Sequence, residues 1–429
     1  MGPICRPKRP RADRRPGPWT ALWLLLWALL PSGCTAQDPY VAFERPVTYG
    51  FESLDHNLIY GSANLNRFFE KLYLQKTRGG QIVRILHIGD SHVQADHFPG
   101  VLRENLQLRF GNAGRGLVVP FRVAKTNEPQ NYRTECVADW QSQRCSLPPI
   151  LLPIGIGGLT VRGTAPGASI SVRTIDRPQL DYSFEKLIVF FQQDHKSYDL
   201  AVLDSAGREL ARLDGWPETA DHDHHAVLHL PKPTHRITLK AASTRPGEQN
   251  HLTIFGLSVE NGGPGVLYHS AGVNGARGEH FFKSEFFARQ TAALEPDLII
   301  VSLGTNEGQD PRLTPEAMLG QTIKLVAELK RYNPNADFLF TTPPNSYVKK
   351  TRNNPALAAA AEGLIQLAVA EKGAFWDLNK VGGPAANWRK HGLLHTDGVH
   401  FTVDGYLLHG HLLCEALLNA YNGYVSNRP

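Results

Sequence analysis

Four short clusters hold side chains suited to one kind of chemistry. The first is Gly89-Asp90-Ser91-His92, with a serine directly after Gly-Asp. A serine hydroxyl becomes a nucleophile once a base takes its proton. The last is Asp397-Gly398-Val399-His400, a carboxylate three residues from an imidazole. Across a turn, such a carboxylate fixes the tautomer of the ring and leaves its other nitrogen free as the base. Between them lie Gly272-Val273-Asn274-Gly275-Ala276-Arg277 and Gly304-Thr305-Asn306-Glu307-Gly308. Gly275 has no side chain to block its backbone N–H, which suits an anion cradle. Asn306 brings a side-chain amide able to donate to a developing oxyanion. Taken singly, each cluster has a plainer account: Asp90 or Ser91 as a helix cap, Gly275 and Asn306 as turn formers, Asp-x-x-His as a chance pair. Taken together they supply nucleophile, base, orienting carboxylate and oxyanion donors, the parts needed for acyl transfer.

The elements around the clusters can hold them in place. Ile85–Ile88 reads as a buried strand, and Phe98, Val101, Leu102, Leu106 and Phe110 fall at helical spacing after it. Strand, tight turn and helix set a nucleophile at the carboxyl edge of a parallel sheet, near the positive end of a helix. A further helix is expected from near Ser62 to Lys76, and Gly79-Gly80 ends it. From about Leu117 to Val259 the pattern changes to short apolar runs separated by Gly, Pro, Asp and Asn: Leu117–Val123, Leu159–Arg162, Ala168–Arg173, Leu187–Gln192, Leu200–Leu203, Ala226–Leu230, Arg236–Ala241 and Leu252–Val259. Such spacing predicts an antiparallel sandwich, domain-sized at roughly 150 residues. The α/β pattern then returns with strands at Asp297–Leu303, Asp337–Thr341 and Phe375–Leu378, and helices from Thr314, over Asn354–Glu371 and over Asp404–Tyr421. The expected organisation is a leader at 1–36, an α/β domain in two parts at 37–115 and 263–429, and an all-β insertion at 116–262.

The net charge of +5 across 429 residues is confined to the start of the chain. Six cations (Arg6, Lys8, Arg9, Arg11, Arg14, Arg15) and the single anion Asp13 occupy residues 1–36, so the remainder is neutral. No basic surplus is left for nucleic acid or an anionic membrane. The basic start, the apolar run Trp19–Leu30 and the small residues up to Ala36 follow the layout of a secretory signal, with cleavage expected after Ala36. The apolar run is shorter than the ~20 residues of a membrane span. A lipid anchor at Cys34 is the alternative, although Pro31 fits it poorly, and no other stretch is long and apolar enough to span a bilayer.

Three cysteines lie beyond the leader. In an exported protein Cys136 and Cys145 can close a small loop as a disulfide, whereas Cys414 sits among apolar residues and reads as a buried thiol. Asp221-His222-Asp223-His224-His225 could bind a metal, though a run bounded by Pro217 and Pro231 is more often a solvated loop. Trp140 and Trp216 could stack on sugar rings or simply pack. His92, Gln94, Asp96 and His97 flank the serine. They read as surface residues at a helix start or as part of an acyl pocket.

Gly89-Asp90-Ser91, Gly275, Gly304-x-Asn306 and Asp397-x-x-His400 resemble, in order, the four blocks of the SGNH (GDSL-like) hydrolase superfamily. The resemblance covers about 63–115 and 263–421. It departs at Glu307, where the superfamily often has Asp, and at His92, where Leu or Tyr is common. His92, the exported start and the β insertion are similar to one branch, the bacterial peptidoglycan O-acetylesterases, which carry a sandwich similar to carbohydrate-binding modules. The resemblance implies a flavodoxin-like, three-layer α/β domain with a parallel sheet. It implies Ser91, Asp397 and His400 as catalytic residues, and the Ser91 and Gly275 N–H groups with the Asn306 amide as the oxyanion hole. It implies no cofactor and no metal. The expected function is removal of O-acetyl groups from an exported, cell-envelope glycan, foremost the muramyl residues of peptidoglycan, in the periplasm. The alternatives are a deacetylase or O-acetyltransferase acting on another polysaccharide, and a glycan-binding protein without activity.

Overall fold

The computed structural model describes residues 38–216 and 224–428. The expected leader, Pro217 and the residues Asp221, His222 and Asp223 of the Asp221–His225 cluster lie outside the described residues. Asp38–Pro429 forms one compact unit.

A short strand β1 (Ile59–Tyr60) and helix α1 (Asn66–Arg78) lead into β2 (Ile82–Gly89). Two helices follow, α2 (Ser91–Gln94) and α3 (His97–Phe110). The single helix expected over this stretch is interrupted at Asp96, which adopts the left-handed conformation at φ +63°. An L-residue takes that conformation only when its surroundings hold it there. Here the Asp96 carboxylate is drawn inward. It accepts from Arg103 Nη2 (2.8 Å), Ser270 Oγ (2.9 Å) and Asn131 Nδ2 (3.0 Å), with Arg115 Nη2 at 3.3 Å. Two buried guanidiniums hold the Asp96 carboxyl well below the usual carboxylate range, against the upward push of burial.

From Gly116 to Glu260 every pairing between the strands of the described residues is antiparallel. The strands are β3 (Gly116–Val118), β4 (Tyr132–Val137), β5 (Trp140–Arg144), β6 (Leu159–Gly163), β7 (Ser169–Thr174), β8 (Phe184–Phe191), β9 (Asp199–Leu203), β10 (Glu209–Leu213), β11 (His225–Thr234), β12 (Arg236–Ala242) and β13 (Leu252–Glu260). One sheet runs β10-β9-β12-β7-β4, the other β11-β8-β13-β6-β5, with β3 also on β13. Sequence reading missed β4, β5 and β10. Their mixed polar faces (YRTECV, WQSQR, ELARL) lack an apolar run because all three are edge strands, half open to water.

The two antiparallel sheets do not close a core of their own. Ile170, Val172 and Leu239 from one sheet and Val189, Phe191 and Ile254 from the other belong to a single apolar cluster. That cluster continues into Leu86, Ile88, Ala271, Val273 and Val301 of the parallel sheet. The expected insertion is therefore fused to the α/β part through a shared interior.

The α/β part resumes with β14 (Gly265–Gly272), α4 (Gly278–Phe282), α5 (Phe287–Thr291), β15 (Leu298–Ser302), α6 (Thr305–Gly308), α7 (Pro315–Tyr332) and β16 (Asp337–Thr341). A small hairpin, β17 (Tyr347–Val348) and β18 (Arg352–Asn353), precedes α8 (Ala356–Ala370), β19 (Ala374–Trp376), α9 (Leu378–Gly382), α10 (Ala385–Lys390) and α11 (Val403–Ser426). The central sheet is ordered β1-β19-β16-β15-β2-β14. Its inner pairings are parallel, but β1 joins β19 antiparallel, so the sheet is mixed rather than purely parallel. A two-residue strand arriving from the amino-terminal segment can add to an open edge in either direction. Helices α1, α3 and α11 cover one face through a second apolar cluster that includes Phe69, Leu102, Leu413 and Cys414. The chain leaves β2 for β14 on one side and returns to β15 on the other. The strand order thus reverses at β2, and the crevice of an open α/β sheet lies at such a switch point, at the carboxyl ends of its strands.

Cys136 and Cys145 are free thiols, the first exposed on β4 and the second buried after β5, so the bridge that the sequence allows is not formed. Burial pushes the Cys145 thiol up to about 12, which makes it inert. Cys414 is buried and free, as its apolar neighbours predict. No helix among the described residues is long and apolar enough to cross a membrane.

Candidate active site

Three neighbouring strands end level. Gly272 of β14 and Ser302 of β15 both pair with Gly89 of β2. Ser91, the Gly275 turn and Asn306 therefore leave the sheet at one edge. Two glycines make this possible. A Cβ on Gly89 would collide with Val93, and one on Gly272 with the backbone of Gln94, so α2 sits directly on the strand ends. Asp90 caps α2 by accepting the His92 N–H at 2.9 Å.

Ser91 and the carboxyl-terminal pair meet. His400 Nε2 lies 2.9 Å from Ser91 Oγ, and His400 Nδ1 lies 2.8 Å from Asp397 Oδ2. The tautomer that donates from Nδ1 to the carboxylate leaves Nε2 to accept the serine proton. Asp397 Oδ1 accepts the N–H groups of Val399 (2.8 Å) and His400 (2.9 Å), which fixes the turn. Partial burial raises the proton affinity of Asp397, but the Val399 N–H and the His400 ring outweigh it and hold the carboxyl well below the usual carboxylate range.

The oxyanion candidates are tied to one another. Asn306 Nδ2 donates to the Ala276 carbonyl at 2.9 Å and reaches Asp90 Oδ2 at 3.4 Å. Gly275, at φ +76°, forms the exposed turn before Ala276, and a side chain would be strained there. Gln94 Oε1 accepts the Asn274 N–H at 2.7 Å, and Gln94 Nε2 donates to Asn127 Oδ1 at 2.7 Å. The loop from the β region thus braces the same turn. Ser146 Oγ donates to the Asn274 carbonyl at 2.7 Å. Next to Ser146, a cavity of about 590 Å³ is lined by Cys145, Ile150, Leu151, Glu279 and Lys283. The triad does not line that cavity and lies in the open, with the side chains of Asp397 and His400 about 38% and 42% exposed.

Two residues behind the site carry unusual protonation. Burial, reinforced by the Glu307 carboxylate, pushes Asp90 up to about 7. Burial, with His400 nearby, lowers His92 to about 3. His92, Gln94 and Asp96 are all buried, which corrects the surface reading of the helix start. The period-3.6 pattern could not reveal this, because polar side chains turned inward look like solvent-facing ones. Asp90, Glu307, Gln94 and His395 are the neighbours of the site that sequence reasoning did not place. Of the two tryptophans, Trp140 Nε1 donates to the Val137 carbonyl, and Trp216 is half exposed beneath the Arg245 guanidinium.

This fold and this edge-of-sheet constellation resemble the SGNH hydrolases. Residues 250–408 match the GDSL-like Lipase/Acylhydrolase family model, a span that includes Gly275, Asn306, Asp397 and His400 and begins after Ser91. Among solved structures, a peptidoglycan O-acetylesterase shares the fold with a TM-score of 0.69 at 22% identity, over 83% of this chain and 96% of that one. A lipase/acylhydrolase from Enterococcus faecalis matches with a TM-score of 0.29 at 20% identity, over 36% of this chain and 77% of that one. A carbohydrate esterase family 2 enzyme with a carbohydrate binding domain from Corynascus thermopiles matches with a TM-score of 0.29 at 13% identity, over 61% of this chain and 96% of that one. No curated protein matches the sequence.

Proposed function

We propose that the chain is an exported serine esterase that removes O-acetyl groups from a cell-wall glycan, with the muramyl residues of peptidoglycan as its substrate. The observation that carries this reading is the continuous chain from Ser91 Oγ through His400 to Asp397, at 2.9 and 2.8 Å. Ser91 Oγ attacks the acetyl carbonyl while His400 Nε2 takes its proton. The tetrahedral oxyanion is held by the Ser91 and Gly275 N–H groups and the Asn306 amide. Collapse breaks the ester bond, and the sugar oxygen leaves with the proton from His400. Water then attacks the acetyl-serine while His400 takes its proton, and His400 returns that proton to Ser91 Oγ as the acyl bond breaks and acetate departs. Asp397 steadies the imidazolium in both halves.

The fold shared with a peptidoglycan O-acetylesterase supports this substrate, as does the basic, apolar, small-residue order of residues 1–36. The β sheets between Gly116 and Glu260 serve in this reading as a glycan-binding insertion similar to carbohydrate-binding modules. Acetate release from O-acetylated peptidoglycan is the test. Release by wild type and none by Ser91→Ala is the expected result. Turnover of acetylated xylan or simple esters, with none on the wall polymer, would overturn the substrate.

A further inference from the structure

The Gly275 N–H belongs to the peptide group that also carries the Asn274 carbonyl. The Val273 carbonyl accepts the Ala276 N–H at 3.0 Å, so Asn274 and Gly275 are the two central residues of a four-residue turn. The φ of Gly275, +76°, is that of the second central residue in a type II turn. The hydrogen bond that closes the turn does not involve the central peptide. That peptide can turn over by opposite rotations about the Asn274 ψ and the Gly275 φ, and its N–H then faces the other way.

One hydroxyl opposes this rotation. Ser146 Oγ donates to the Asn274 carbonyl at 2.7 Å. A trans peptide is planar, with its C=O and N–H pointing in opposite directions. A carbonyl held toward Ser146 therefore sends the Gly275 N–H away from it. Ser146 is itself set by the β region, just past the end of β5. The Cys145 N–H before it donates to the Gly158 carbonyl at 3.0 Å, and the Leu147 N–H after it to the Arg144 carbonyl at 3.1 Å.

We propose that Ser146 is a positioning residue whose hydroxyl holds the Asn274–Gly275 peptide in the orientation that aims the Gly275 N–H at the oxyanion. The inference rests on the esterase reading and gives the β region a part in the chemistry.

The other ties of the turn do not duplicate this role. Gln94 Oε1 holds the Asn274 N–H at 2.7 Å, and Asn274 Nδ2 donates to Asn127 Oδ1 at 2.7 Å. Both contacts lie before the rotating peptide and survive its reversal. Asn306 Nδ2 holds the Ala276 carbonyl, which lies after it. The Gly275 N–H donates to no backbone acceptor among the described residues, which leaves it for a ligand. A carbonyl that accepts a hydrogen bond also polarises its peptide and strengthens the N–H as a donor.

The test uses the full chain with Ser146→Ala and Ser146→Thr, assayed on 4-nitrophenyl acetate. The Gly275 amide signal is followed by NMR in 15N-glycine-labelled protein, before and after a fluorophosphonate caps Ser91 and places a phosphoryl oxygen where the oxyanion forms. Ser146→Ala frees a donor without deleting it, so kcat is expected to fall about tenfold, less than the ~10²–10³ of a donor removed outright, with KM within twofold. Ser146→Thr keeps the hydroxyl and is expected within threefold of wild type. Capping moves the Gly275 amide proton downfield in wild type and in the Thr variant, and less in the Ala variant. A kcat for Ser146→Ala within twofold of wild type, a loss confined to KM, or a capped Gly275 signal the same in all three proteins would overturn the inference and leave the esterase reading standing. Absence of Ser91-dependent turnover in wild type would instead sink the esterase reading, and the aim of the N–H with it.

Discussion

The ring of His92 lies 5.7 Å from the ring of His400, tilted by 46°. His92 Nδ1 is 2.9 Å from the Tyr406 hydroxyl, and its Nε2 is buried without a hydrogen-bond partner among the described residues. An uncharged imidazole fills this position; a charged one would repel the imidazolium formed on His400 and pay a desolvation cost.

Acid stability follows from that burial. Burial lowers both His92 and His87 from 6.5 to about 3. Their folded values lie below the unfolded one, so the unfolded chain binds protons that the folded chain refuses. The stability they confer is complete above pH 6.5 and is lost as pH falls toward 3. Each contributes a slope of about 1.4 kcal/mol per pH unit inside that window. Urea unfolding between pH 6.5 and 4 is expected to show a slope shallower by one such step in His92→Gln. A variant slope equal to that of wild type would refute the account.

Asp96 predicts a larger loss. Its carboxylate compensates Arg103 and Arg115, both buried, and joins α3 to β14 through Ser270 and to the β region through Asn131. Asp96→Ala leaves two guanidiniums in the interior with no counter-charge. Removing one partner of a buried ion pair costs about 3–5 kcal/mol. Denaturant midpoints should fall accordingly, whereas Glu104→Ala, on a half-buried surface pair with Arg177, should cost about 1 kcal/mol or less. Equal effects from the two variants would count against the network.

Glu307 acts on the oxyanion donors from behind. One carboxylate oxygen accepts the Gly278 N–H at 2.9 Å, the other the Gly304 N–H at 3.1 Å. It thereby clamps the end of the Gly275 strap to the turn that carries Asn306. Burial raises its pKa, opposed by the Gly278 N–H. Glu307→Gln can satisfy only one of the two amides and turns its own NH₂ toward the other. Stability is expected to drop by about 1–3 kcal/mol. A loosened donor geometry lowers kcat by roughly 10–100-fold with KM little changed. Thermal unfolding and ester turnover check the two parts separately.

The parts of the fold and site that sequence reveals are those written in local pattern. Leu298–Val301 is apolar throughout and lies in a central strand; Ser91, Asn306 and Asp397-x-x-His400 each follow or precede an element whose period is plain. What pattern conceals is what depends on distant partners. Asp96 looks like a capping residue until Arg115, Asn131 and Ser270 converge on it. Strand β14 carries Tyr268, His269 and Ser270 in an otherwise apolar run, and only pairing along β2 makes it a core strand of the parallel sheet. His395 reads as a loop residue because nothing in its neighbours' spacing says that its ring folds back over Asp397.

Asn306 offers the most direct test of the oxyanion assignment. Its amide nitrogen has two hydrogens. One is held by the Ala276 carbonyl at 2.9 Å, and the other reaches Asp90 Oδ2 only at 3.4 Å. The short bond sets the orientation; the long one is weak enough to be exchanged for an oxyanion, a stronger acceptor. Loss of a donor used only in the transition state lowers kcat and leaves ground-state binding alone. Asn306→Ala should therefore reduce kcat on 4-nitrophenyl acetate by about 10²–10³ with KM within a few-fold of wild type. It should also retain covalent labelling of Ser91 by a fluorophosphonate, at a reduced rate, because Ser91, His400 and Asp397 do not depend on the amide for their contacts. A loss in kcat below tenfold, or a change confined to KM, would remove Asn306 from the oxyanion hole and leave it a structural tie between the Gly275 strap and Asp90.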